Sequence, residues 1–139
     1  MDNEKARKAY CEASNGINVK ENEKIVLECK TSWCYEFARD IPGADIKAHE
    51  QAILELKDLE HSFWFAKDVL GADIKAHEKV ILELKDSKYS YWFAKNILGA
   101  NIEEHFKVIL NSGDKFWLNY FIEKINYKGT KVEEWLLYI

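Results

Sequence analysis

Apolar residues return every three to four positions through most of this chain, and no segment alternates singly between apolar and polar as a half-buried strand would. One stripe runs Ile46, His49, Ile53, Leu56; the next is Phe65, Ala66, Val69. Each fits a helix of about 10–12 residues, or about 15–18 Å. Asp45, Asp73 and Asn101 stand just before such stripes. From there a side-chain oxygen can accept from the free N–H groups of a first turn. Gly71 and Gly99 follow the second stripes, where a helix C-terminus favours positive φ, and Pro42 bars the preceding helix from running on. The pattern predicts short paired helices and no sheet.

The pairs repeat. "GADIKAHEQAILELKD" at 43–58 returns at 71–86 with changes only at Gln51/Lys79 and Ala52/Val80, and "GANIEEHF" begins a looser copy at Gly99. "FAKDVLG" at 65–71 returns as "FAKNILG" at 93–99. The step is 28 residues, and it divides the chain into an N-terminal cap (1–15), four repeats (16–42, 43–70, 71–98, 99–126) and a C-terminal cap (127–139). A lone pair of short helices cannot bury its apolar faces, but stacked neighbours can. The expected fold is therefore all-α, one α-solenoid domain of helix–turn–helix repeats with half units at each end and about ten helices.

The copies "FARDIPGADI" (37–46), "FAKDVLGADI" (65–74) and "FAKNILGANI" (93–102) carry a phenylalanine–alanine, glycine–alanine–aspartate–isoleucine signature. It resembles a class of short helical tandem repeats found in bacterial, phage and large-virus proteins. The fourth copy departs from it at "FIEKINYKG" (121–129). The resemblance implies a scaffold that binds another macromolecule. A sharper form of that expectation is a phage-encoded, anti-CRISPR-like inhibitor of a host defence nuclease.

Composition narrows the choice. The chain has 139 residues, 47% hydrophobic and 14% aromatic, which suits a packed core. Its net charge is −4 with the signs interleaved, and arginine occurs only at Arg7 and Arg39. A dedicated nucleic-acid binder needs a clustered cationic face, so a nucleic-acid partner is disfavoured. No apolar stretch approaches the ~20 residues of a membrane span, and the polar start does not resemble a signal peptide. Cys11, Cys29 and Cys34 form no CxxC pair and read as small apolar residues in a reducing compartment. A cytoplasmic protein, in the host cell if phage-encoded, is expected.

His49, His77 and His105 share one column of the repeat, flanked by Asn22 and Trp135. Equivalent side chains of adjacent repeats lie about 8–10 Å apart, whereas zinc holds ligands about 2.0–2.1 Å from one centre. No metal is therefore expected, and each histidine is read as packing between repeats and donating to a carbonyl or carboxylate. Lys47, Glu50, Glu55 and Lys57 read as a solvated face. No phosphate loop or nucleophile elbow is present, and Cys29 or Cys34 with His61 has only ordinary helical positions. No catalytic residue, cofactor or enzymatic activity is expected.

Comparison of the repeats with one another separates core from surface. Phe37, Phe65, Phe93 and Phe121 form an invariant column, as a core would. The adjacent column reads Glu36, Trp64, Trp92, Tyr120, and its glutamate suggests partial exposure. Trp64, Trp92 and Tyr120 form either a binding ridge or packing between repeats. Arg39, Lys67, Lys95 and Glu123 should face solvent. The expected partner-binding set is Trp64, Trp92 and Tyr120 with Lys67 and Lys95 at the rim. The alternative is single-stranded nucleic acid stacked on these aromatics. Partner identity, oligomeric state and superhelix hand are not written in the sequence.

Overall fold

The computed structural model describes residues 2–125. Among these the protein is all-helical, without a strand, and has nine α-helices. They are α1 (Asp2–Ser14), α2 (Val19–Cys29), α3 (Trp33–Asp40), α4 (Ile46–Leu56), α5 (Leu59–Asp68), α6 (Ile74–Glu83), α7 (Ser87–Asn96), α8 (Ile102–Ser112) and α9 (Lys115–Lys124). Two helices fall in each of the four repeats, with α1 alone at the start; the expected C-terminal cap, 127–139, lies outside the described residues.

The aspartates explain where helices begin. Oδ1 of Asp45, Asp73 and Asn101 accepts from the backbone N–H of Ala48, Ala76 and Glu104, each at 3.2 Å. A second series opens the partner helices: Asp58, Asp86 and Asp114 accept from the N–H of His61, Tyr89 and Trp117. These three come directly after the left-handed residues Lys57 (φ 50°), Lys85 (φ 53°) and Gly113 (φ 75°), so each repeat turns from one helix into the next within a few residues.

The glycines do a different job from the one expected. α5 and α7 end at Asp68 and Asn96, three residues before Gly71 and Gly99, and the capping residues Val69 and Ile97 are already extended. A tight turn comes next, in which the N–H of Ala44, Ala72 and Ala100 donates to the carbonyls of Ile41, Val69 and Ile97 at 3.2 Å. Pro42 at its second position and a positive-φ glycine at its third fit a type II turn. That geometry thrusts the second residue outward, and Leu70 and Leu98 are 95% and 98% exposed.

The chain divides into two compact units, Met1–His77 and Glu78–Ile139. In the first, Val26, Tyr35, Phe37, Ile53 and Phe65 build a core closed by α1 and α2 at one end. In the second, Tyr91, Phe106, Ile109 and Phe121 do so between α7, α8 and α9. All four phenylalanines of the invariant column are fully buried.

Candidate functional site

The repeat is held to its successor by one constellation. His49, His77 and His105 are fully buried, and each Nε2 lies 2.9 Å from a carboxylate oxygen of the preceding repeat: Glu23, Glu50 and Glu78 respectively. The same oxygen accepts the N–H of the next helix-capping residue, at 2.8 Å for Asp45 and 2.6 Å for Asp73 and Asn101. The ring also stacks on the preceding repeat's phenylalanine. Centroids are 4.9 Å apart for Phe37–His49, 5.0 Å for Phe65–His77 and 5.3 Å for Phe93–His105. Each of these repeats thus presents a glutamate and a phenylalanine to the next repeat's histidine.

Glu50 and Glu78, the first of them expected on a solvated face, are 7% and 8% exposed. Lys47, three positions before Glu50, does stay in solvent. The glutamates turn inward because each accepts from two N–H donors of the next repeat, and the histidine donor is fully buried and would otherwise lack an acceptor.

Carboxylates accept only, so Nε2 carries the proton. Nδ1 of all three rings is buried and has no hydrogen-bond partner among the described residues. A second proton there would be an unmet donor, and burial holds all three histidines below the usual imidazole pKa despite the pull of Glu23 and Asp45, Glu50 and Asp73, or Glu78 and Glu104. The unfolded chain therefore takes up protons near the ordinary histidine value of about 6.5 while the folded chain does not. Stability is complete above that pH and falls as acid is added. Urea midpoints should drop steadily from about pH 7.5 to about 5.5, and His77→Gln should remove part of the slope. A flat profile would mean that the rings are not held neutral.

The aromatic column is half-buried. Trp64, on α5, packs against the first core beside Tyr35 and His61, with centroids 6.0 and 5.6 Å away. Trp92, on α7, and Tyr120, on α9, pack against the second core. Lys88 Nζ lies 4.7 Å above the Trp92 ring, and Tyr120 stacks on Phe116 at 5.7 Å. Glu36, whose presence suggested an open position, is also half-buried; one of its carboxylate oxygens has no hydrogen-bond partner among the described residues, and burial raises its pKa. The column therefore mixes packing with accessible ring surface. Lys67 and Lys95 are exposed, as are Arg39 and Glu123.

No family model, curated protein or solved structure matches this chain.

Two features of the surface are not predicted by the sequence pattern. Lys67 and Leu70 line a cleft of about 340 Å³ at the Val69–Ala72 turn, and Lys95 and Leu98 line one of about 430 Å³ at the Ile97–Ala100 turn. The inward stripe read from the sequence, Phe65, Ala66 and Val69, leaves Leu70 and Leu98 unassigned, and only the turn type shows that they point outward. Among the described residues no group of three His, Cys, Asp or Glu side chains could hold a metal, and no helix is long and apolar enough to cross a membrane. Cys34 is buried, and its thiol is pushed up to about 12 by burial, which keeps it protonated.

Proposed function

We propose that this chain is a non-enzymatic helical-repeat protein that stacks its repeats as an α-solenoid and binds another protein along one face. The observation that carries the proposal is the ladder: the same glutamate, histidine and phenylalanine contacts pass from repeat to repeat at His49, His77 and His105. Such a framework uses its side chains for cohesion and leaves an extended surface for a partner. Trp64, Trp92 and Tyr120 are the hot-spot residues of that surface, with Lys67 and Lys95 at its rim. In its pointed form, the protein is a phage or mobile-element inhibitor of a CRISPR-type host nuclease, acting in the host cytoplasm. The repeat signature, the small size and the acidic balance support that form.

The test is a Trp64→Ala, Trp92→Ala double variant that keeps the parent's circular dichroism. One hot-spot aromatic is worth about 2 kcal/mol or more, so partner affinity should fall at least about 30-fold. The partner is first captured from the native host, then purified and titrated against both forms. Equal affinity would remove the aromatic column from the interface and point to the exposed first-helix lysines, Lys47 and Lys75.

A further inference from the structure

α5 and α7 are the same helix in two repeats, and the register pairs Glu60 with Lys88, His61 with Tyr89 and Trp64 with Trp92. The ring pairs share one geometry. His61 and Trp64 meet edge to face at 5.6 Å and 75°, and Tyr89 and Trp92 do so at 5.5 Å and 74°. Positions 60 and 88 stand four residues before each tryptophan, on the same helix face. From there Lys88 Nζ comes to 4.7 Å from the Trp92 ring centroid and 5.6 Å from that of Tyr89. Glu60 is exposed and starts from the equivalent place, but it carries a carboxylate.

Trp64 is half-buried, and among the described residues no lysine or arginine lies over its ring. Lys67, the lysine of α5, is the counterpart of Lys95, which approaches Tyr91 at 5.7 Å rather than Trp92. Further carboxyl groups flank the His61–Trp64 pair. Asp58 Oδ2 lies 2.6 Å from His61 Nδ1. Glu36, at the position on α3 that Trp64 holds on α5, is close enough to His61 for the two to interact electrostatically. One Glu36 oxygen is buried, so contact with a ligand falls to Glu60.

A second contact within the chain shows which cation suits a ring beside a carboxylate. Arg39 Cζ lies 4.9 Å from the Tyr35 ring centroid, while Nε and Nη2 donate to the two oxygens of Asp40 at 2.7 and 2.9 Å. A planar guanidinium can cover a ring face and fork onto a carboxylate at once, whereas a lysine ammonium acts as a point charge. We propose that Trp64 and Glu60 bind an arginine side chain of the partner protein, its guanidinium lying over the indole as the Lys88 ammonium lies over Trp92. Attraction to the ring face and to the neighbouring carboxylate then act together. The same carboxylates repel phosphate, which disfavours a nucleic-acid strand on this ring. That a protein supplies the arginine rests on the function proposed above; the cation site itself does not.

The experiment titrates the full-length, ¹⁵N-labelled chain at constant ionic strength with the Nα-acetyl amides of arginine, lysine and citrulline, and with single-stranded oligothymidylate. The arginine probe should shift the Trp64 indole N–H and the amides of Glu60 and His61, with at least about threefold weaker binding of the uncharged citrulline probe. Glu60→Lys gives Trp64 the cation that Trp92 has. The next repeat already accepts lysine at this place, so the variant should keep the parent's circular dichroism and weaken the arginine probe at Trp64 at least about threefold. Glu60→Gln removes the charge alone, should weaken it by less, and serves as the second variant. Equal binding of the arginine and citrulline probes, or parental affinity in both variants, would overturn the site. Tighter binding of the lysine probe would overturn the arginine assignment, and a stronger response of Trp64 to oligothymidylate would overturn the choice of a cation. Local arginine binding without any captured protein partner would defeat the proposed function and spare the site. A captured partner that depends on Trp64 and Trp92, with no response of Trp64 to the arginine probe, would do the reverse.

Discussion

Phe65→Ala should lower the free energy of unfolding by about 3–5 kcal/mol, and Phe93→Ala should do the same. Both rings are fully buried, and each is a joint between repeats as well as a core residue. Truncation opens a cavity and also removes the face on which His77 or His105 stacks. A domain of this size has about 5–15 kcal/mol in all, so one such change consumes a large share. Urea unfolding followed by far-ultraviolet circular dichroism measures it. A variant with the parent's midpoint and slope would show that these rings do not bear the packing assigned to them.

Glu50→Ala is expected to cost about 2–5 kcal/mol, through a different mechanism. The lost oxygen serves two donors at once, Nε2–H of His77 at 2.9 Å and the N–H of Asp73 at 2.6 Å. Both are left without an acceptor, and the capping residue of α6 loses its tie to the previous repeat. Glu50→Gln keeps an acceptor oxygen and should cost less. Adding His77→Phe to Glu50→Ala should recover part of the loss, because one stranded donor disappears while a ring still faces Phe65. A double variant as unstable as the sum of its single changes would refute the coupling.

Much of the architecture can be read from the sequence because the repeat multiplies weak signals. The all-helical class, the helix pairs, the capping Asp45, Asp73 and Asn101, and the buried phenylalanine column each rest on three or four copies of one observation. The inward turn of Glu50 and Glu78 is not legible there. A glutamate beside lysine on an amphipathic helix reads as solvent-facing, and only the position of the next repeat's N–H groups reverses that reading. The extended caps at Val69 and Ile97 escape the sequence because glycine after a helix has two uses, a left-handed cap or the third place of a type II turn. Pro42 reads first as a helix breaker, although its place directly before Gly43 favours the turn.

The ladder also has a direction. Within each internal repeat the histidine that takes a contact sits one residue before the glutamate that offers the next, as in His49–Glu50 and His77–Glu78. A 28-residue excision or duplication, begun at any point inside this stretch, therefore rejoins an offering glutamate to a receiving histidine. Removing 71–98, for example, hands His105 to Glu50 with the same chemistry. Length in this chain is consequently a heritable variable that unequal recombination can change in whole steps, with no new side chain required. The near-identical segments 43–58 and 71–86 are the mark such an event would leave.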